Sequence, residues 1–444
     1  MSDDTSAAPP AHGAGAVTFR DVFGIAEYRA IFVALVANSV ADYLARAAMT
    51  VLVYQQTRSV LLSAASFAIS YLPWIVGGPL LATLAERYPY RRVMIVCDLL
   101  RMCLVGLVAI PGLPVAAVLA LAFLGMLTSP PTQAARSALL PLVLGRDRVV
   151  VALAVNATTT QGTQVVGFLA GATLAAAASP RLTIAGVALL FGLSALTIAV
   201  GVSARPSAHK RRHRPQLLRE TAEGFRLVFG STVLRPIAVL VFTVTMFAIV
   251  PEGLAAGWAA ELDPDPGRRG LDQGLIMAAG PVGWIVGGLL ISRLVQPDIR
   301  QKLVRPLSVA AAVALVPVLA APDMPVIALF ILISGLAQGG IMPTLNGLFV
   351  LALPHGYRAR AFGVMQGGLQ VSQGGAVLVT GVIAERFGVP VTVGLWSVAG
   401  ALMLVAVAAR WPRPGAFSRA ITAAAAASPQ PADRARAVVS ASRR

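Results

Sequence analysis

Stretches of about twenty residues with almost no charge recur along nearly the whole chain, and this constrains the fold more than any other feature. A helix crossing the hydrocarbon of a bilayer needs about 20 predominantly apolar residues. Such stretches read as spans at 29–54, 60–85, 92–110, 114–140, 148–178, 182–203, 235–260, 271–295, 302–320, 324–352, 359–386 and 389–410. Composition agrees, with 57% apolar residues, 12% charged residues and a mean hydropathy of +0.76. A water-soluble fold of this length would need far more polar surface. A disordered chain would lack the long apolar runs. The expectation is an all-α membrane protein with twelve transmembrane helices. The first run, from Ala30, follows an acidic start (Asp3, Asp4) and reads as a retained span rather than a cleavable signal.

Orientation follows from charge placement. The net charge is +17, but the basic residues flank apolar runs, which fits cytoplasmic loops rather than a nucleic-acid groove. With the N-terminus inside, the external loops receive Arg58, Arg181, Arg268, Arg269 and Arg386. Arg46, Arg101 and Arg136 fall within spans, and the other 28 Lys and Arg residues lie on the cytoplasmic side. Both termini are therefore expected in the cytoplasm. Only Lys210 and Lys302 are lysines among the 36 basic residues, a bias typical of GC-rich bacterial genomes, so the expected location is a bacterial inner membrane.

A duplication organises the chain. Trp74-Ile75-Val76-Gly77-Gly78 recurs as Trp284-Ile285-Val286-Gly287-Gly288, a shift of 210, and Leu80/Leu290, Leu84/Leu294, Gly125/Gly335, Arg148/Arg358 and Gly171/Gly381 keep the register. An even number of spans per copy makes the halves parallel. The expected organisation is a cytoplasmic segment 1–28, a six-helix bundle 29–203, a basic linker 204–234, a second six-helix bundle 235–410 and a disordered cytoplasmic tail 411–444. The linker carries the run His209 to Arg214, followed by a candidate amphipathic helix from Leu217 to Phe229. Span 4 is expected to break at Ser129-Pro130-Pro131, and spans 5 and 11 run long.

The loop after span 2 reads Ala82-Thr83-Leu84-Ala85-Glu86-Arg87-Tyr88-Pro89-Tyr90-Arg91-Arg92. It resembles the signature loop of the major facilitator superfamily, in which an acid and an arginine cluster join helices 2 and 3. Ala82 and Pro89 stand where glycines are usual, and Glu86 where Asp is commoner. Three further segments are similar to the drug:proton antiporter branch that includes enterobactin and macrolide exporters. They are Val53-Tyr54-Gln55-Gln56-Thr57, Asp98-Leu99-Leu100-Arg101, and Ala134 to Pro141. Tyr357 to Gly363, entering span 11, is similar as well. The antiporter signature of span 5 is partial, with Gly162, Gly167 and Gly171 present and Phe168 in place of a proline. The resemblance implies two bundles around a central cavity lined by helices 1 and 7.

Ionisable residues at membrane depth are costly and default to functional candidates. Asp42 in span 1 and Glu252 in span 7 are 210 apart, one acid at the same position of each half. Arg46 lies four residues after Asp42 on the same helix face, so the two are expected to pair, either as a gate or substrate-orienting pair or as a packing device. Glu252 has no basic residue one turn away, and Pro251 beside it offers a bend, which makes Glu252 the main proton-coupling candidate and Asp42 the second. Glu86, Arg87, Arg91, Arg92, Asp98 and Arg101 are expected to form a cytoplasmic charge network. Arg136 either joins it or faces the cavity.

Amides are frequent in spans 4, 5, 10 and 11, where Gln133, Asn156, Gln161, Gln164, Asn346, Gln366 and Gln370 either bond between helices or line the cavity, with Asn38 of span 1. Cys97 and Cys103 share one span and are not expected to form a disulfide. No phosphate-cradling loop, catalytic set or intramembrane histidine points to an enzyme, a cofactor or a metal. The expected partners are a small-molecule substrate, protons and the lipid bilayer, with no nucleic acid, for a monomer. The expected activity is proton-coupled efflux of a small amphiphilic compound (drug, macrolide or siderophore-like) by alternating access. The alternatives are uptake or uniport without protons, and a non-transporting scaffold or sensor.

Overall fold

A computed structural model describes residues 18–76, 88–205, 217–353 and 357–426. No strand occurs among them. In hydrocarbon a backbone must satisfy its own hydrogen bonds within one segment, so apolar runs become helices. Nine helices among the described residues are long and apolar enough to cross a bilayer. They are span 1 (Ala26–Thr57), span 4 (Val115–Gly145), span 6 (Pro180–Gly201), span 7 (Leu234–Leu262), span 8 (Pro266–Leu294), span 9 (Ile299–Ala320), span 10 (Met324–Leu351), span 11 (Arg360–Phe387) and span 12 (Val389–Ala409). Three more complete the twelve. Span 2 is described through two helical pieces, Val60–Ala68 and Leu72–Val76, span 3 is Tyr90–Val108, and span 5 is the second limb of a continuous Ser129–Ala177 assignment.

Local sequence explains the breaks. Span 4 is interrupted between Met126 and Ser129, where Pro130 and Pro131 can only enter a new first turn. Spans 4 and 5 part at Gly145, whose φ of 73° a side chain would strain. Span 7 breaks at Ile249, between helices Leu234–Ala248 and Val250–Leu262, because Pro251 has no N–H to give the preceding turn. Cys97 and Cys103 are free.

Helices outside the spans hold the ends. Helix Phe19–Phe23 opens with a capping box in which Thr18 donates from its backbone N and Oγ1 to Asp21 Oδ2, each at 2.8 Å. Those bonds hold the Asp21 carboxyl below its ordinary range. Arg205, just after span 6, donates to both carboxylate oxygens of Glu27 at the start of span 1, and that partner raises the guanidinium's already high pKa. Helix Leu217–Gly230 docks on the start of span 11, with Gly224 against Arg360 and Val364 and a 2.6 Å ion pair from Arg360 to Glu223. The tail departs from expectation. Instead of disorder throughout 411–444, it begins with a helix, Pro414–Ala426, that buries Phe417 beside Trp411. Burial of two aromatics outweighs the Ala/Pro/Arg-rich composition that suggested disorder. Residues 1–17, the basic run His209 to Arg214, Glu86, Arg87 and residues 427–444 lie outside the described residues.

The halves meet through spans 5 and 8 and through spans 2 and 11, two contacts that exchange under the repeat. Far from the linker this seam is built on close contacts of small residues, beside a second cavity of about 280 Å³ lined by Tyr54, Arg58, Arg269 and Gln273. Gly270 of span 8 faces Ala172 and Ala176 of span 5, Gly257 faces Val60, and Gly381 faces Ala64. Gln273 Nε2 crosses the seam to Thr50 Oγ1 (2.9 Å) and the Ala47 carbonyl (3.2 Å). The Leu61 N–H at the start of span 2 donates to Glu385 Oε2 at 2.9 Å.

Within the second half, spans 8 and 10 approach almost backbone to backbone. A Cβ on Gly287 would stand 2.0 Å from the Leu336 carbonyl oxygen, and one on Gly339 2.0 Å from that of Trp284. Small residues at such positions are what permits close helix association in lipid. Gly339→Leu should therefore destabilise the protein by about 1–3 kcal/mol or more, as overpacking does. Gly186→Ala, where a Cβ meets nothing within 4 Å, should leave the melting temperature unchanged in the same detergent unfolding assay.

Candidate substrate cavity and its buried charges

Between the halves lies a cavity of about 510 Å³. Its floor near mid-membrane is formed by buried Tyr71 and Glu252, while Gln133, Asn346, Phe362 and Gln366 toward the linker end are exposed. Among the described residues the cavity thus opens at the linker end and is closed at the other by the small-residue contacts of the seam. Six expected lining residues are there: Gln133, Gln161, Gln164, Asn346, Gln366 and Gln370. Gln373 and Gln338 join them. Gln338 was missed by the sequence reading, although it stands eight residues before Asn346, two helical turns along the same face of span 10.

Only two of the lining residues are charged, Arg46 and Glu252. The bend at Ile249 puts Glu252 in the first turn of the outer limb of span 7, 8% exposed, with its Oε1 near Gly280 of span 8. Neither Arg46 nor Glu252 has an ion-pair or hydrogen-bond partner among the described residues, and Arg46 Nε is buried without one. The Arg46 guanidinium instead lies over two aromatic rings, 5.4 Å from the Tyr43 centroid and 5.7 Å from that of Tyr71.

The expected Asp42–Arg46 pair is not formed. Asp42 pairs with Arg101 of span 3, Nη1 to Oδ1 at 3.2 Å. Arg101 is 2% exposed and also donates to Asn38 Oδ1 (2.7 Å), the Gly125 carbonyl (3.3 Å) and Ser129 Oγ, with its Cζ 5.0 Å from the Phe191 ring centroid. Asp98, fully buried, accepts from Asn38 Nδ2 (2.7 Å) and Ser194 Oγ (2.6 Å). Spans 1, 3, 4 and 6 are thereby joined by one polar network inside the first bundle. Helical spacing placed Asp42 and Arg46 on one face correctly, but a guanidinium from the neighbouring helix reaches the carboxylate and satisfies several acceptors at once.

Other expectations change with it. Asp98 and Arg101 belong to this mid-span network and not to a cytoplasmic one. Asn38 is consumed by it and does not line the cavity. Asn156 accepts from the Tyr28 hydroxyl at 3.1 Å, an interhelical bond, and is likewise absent from the lining. Arg136 is half-buried beside the network, within electrostatic reach of Asp98 and Asp42, and does not line the cavity. Arg91 donates to the Ala199 carbonyl at the end of span 6, and Arg92 is exposed.

Removing one partner of a buried ion pair leaves the other uncompensated, at a cost of about 3 kcal/mol or more. Arg101→Met should accordingly lower the melting temperature sharply. Adding Asp42→Asn should recover part of the loss, a non-additivity that a double-mutant cycle measures.

The sequence profile described as Major Facilitator Superfamily matches residues 31–374. A comparison with proteins of curated function returns no match. Among solved structures, the chain is similar to the nucleoside transporter NupG, with a TM-score of 0.67 at 12% identity over 87% of this chain and 99% of that one. It is similar to a bacterial homologue of the human lysosomal transporter Spinster, in an inward-facing and occupied conformation, with a TM-score of 0.66 at 12% identity over 90% of this chain and 98% of that one. The xylose transporter XylE from E. coli, in an inward-open conformation, aligns with a TM-score of 0.62 at 14% identity over 85% and 95%. Twelve spans, duplicated bundles and a central cavity agree with these likenesses, and the chain belongs to the Major Facilitator Superfamily.

Proposed function

We propose that this multi-pass protein is a secondary transporter of the drug:proton antiporter kind, exporting a small amphiphilic compound in exchange for protons. The observation that carries this reading is the unpaired, buried carboxyl of Glu252 in the floor of the central cavity. A carboxyl placed there can take a proton from one side and surrender it on the other as access alternates. Asp42 is occupied by Arg101, so proton carriage falls to Glu252 and Asp42 helps hold the first bundle rigid.

The remaining features support the same cycle. Trp74, Tyr71 and Trp284 give the cavity apolar walls, and the amides of spans 4, 5, 10 and 11 give it polar contacts, a lining suited to an amphiphile. The distribution of Lys and Arg supports a cytoplasmic linker and cavity mouth, the side on which an exporter loads. Rocking the two similar bundles about the cavity then opens the opposite side.

Inside-out vesicles with an imposed acidic interior and a fluorescent pH reporter test the proposal against antibiotics, dyes and siderophores. Adding a substrate should release protons from the vesicles, and Glu252→Gln should abolish that release. Compound movement with no proton signal would make the protein a uniporter and remove the role of Glu252.

Alternating access also requires the Gln273–Thr50 contact to separate. In a background lacking Cys97 and Cys103, Thr50→Cys with Gln273→Cys should be cross-linked by a short bifunctional thiol reagent. Transport should then stop and return when the reagent is cleaved; unimpaired transport by the cross-linked protein would show that this seam does not open.

A further inference from the structure

We propose that the cavity selects compounds carrying both an acidic and a basic group, with the acid on Arg46 and the base on Glu252. The inference rests on the transport reading above and names its substrate class. Among the described residues, Arg46 and Glu252 are the only charged ones lining the cavity, and neither is paired there. They lie close enough to feel each other's charge. The other titratable groups facing Glu252 are the phenols of Tyr43 on span 1 and Tyr71 on span 2. Spans 8 and 11 bring only neutral groups to the cavity, among them Gly280, Trp284 and Gln373. The unpartnered, buried Nε of Arg46 marks the vacancy on the cationic side.

A guanidinium is a rigid fork of donors that matches a carboxylate with two parallel bonds. The Arg46 guanidinium lies against the rings of Tyr43 and Tyr71, and its Nε has no acceptor among the described residues. Charge balance then chooses the ligand. A purely cationic compound would leave Arg46 unpartnered and be repelled by it, so it would not bind well enough to displace the proton from Glu252. A purely anionic compound would satisfy Arg46 but be repelled by ionised Glu252, and would bind together with a proton, not against one. A compound with both groups leaves every charge partnered and expels one proton as its ammonium replaces it on Glu252. Exchange of substrate for proton follows from that displacement.

Purified protein in nanodiscs, titrated calorimetrically with two matched sets, provides the test. One set is a fluoroquinolone bearing a carboxyl and a piperazine amine, the other an aromatic dipeptide, each as the free zwitterion, the methyl ester and the N-acetyl form. The zwitterion of at least one set should bind about 10-fold tighter than either capped form, the worth of one charge-assisted contact. Arg46→Gln should erase the advantage over the ester, and Glu252→Gln the advantage over the N-acetyl form. Arg46→Lys, which keeps the charge but loses the fork, should retain part of the preference and shows that loss in Arg46→Gln is not misfolding. A capped form binding as tightly as its zwitterion, equal effects of Arg46→Gln on acid and ester, or no binding of either zwitterion would overturn the proposal. Proton release driven by a compound with no acid would overturn it too, while leaving the transport reading intact.

Discussion

An unpaired charge cannot rest in hydrocarbon, and the arrangement of this protein depends on how it meets that constraint. Five ionisable side chains stand out near mid-membrane: Asp42, Arg46, Asp98, Arg101 and Glu252. Three are gathered into the network inside the first bundle, where Arg101 and Asn38 distribute hydrogen bonds to both acids. The other two face the cavity that separates the bundles. Paired charges are thus packed within the first bundle, and the two charges without partners among the described residues line the cavity between the bundles.

The packing follows the same division. Within a half, glycines bring helices to backbone contact, as at Gly287 and Gly339. Across the halves, the closed end relies on small residues, two bonds from Gln273 and a carboxylate on the start of span 2. Contacts of the second kind bury little polar surface and involve few charged pairs, so separating them requires less than opening a bundle. Rigid bodies with a lightly bonded seam are what a rocking cycle needs.

Much of this was legible in the sequence. Apolar length located the spans, the 210-residue repeat divided them into halves, and Pro130, Pro131 and Pro251 marked breaks that the helices show. The amides Gln161, Gln164, Gln366 and Gln370 line the cavity because they sit on spans 5 and 11, which flank it. Asn156 took the interhelical alternative and Asn38 the charge network for a physical reason: an amide satisfies a buried charge or a tyrosine hydroxyl as readily as it lines a pocket, and only tertiary neighbours decide. The partner of Asp42 was hidden in the same way. Spacing along one helix shows which residues share a face, but not which neighbouring helix brings a better donor to it.

Comparison of the two halves explains why Glu252 is free while its repeat mate is not. Asp42 is partnered by Arg101, which Asn38 links to Asp98. At the same shift of 210 the second half carries Ala248, Ala311 and Ser308, and opposite Arg46 it carries Ala256. Ser308 and Ala311 are as buried as the residues they replace, yet Ser308 bonds only to the Arg305 carbonyl of its own helix. The same carboxyl position therefore meets a guanidinium from span 3 in one bundle, whereas the matching position of span 9 in the other carries the methyl group of Ala311. A neutralised acid in the first half fixes spans 1, 3, 4 and 6 together, and an acid stripped of partners in the second is left to answer to whatever enters the cavity. The asymmetry between the repeated halves, more than the duplication itself, is what leaves Glu252 without a partner among the described residues.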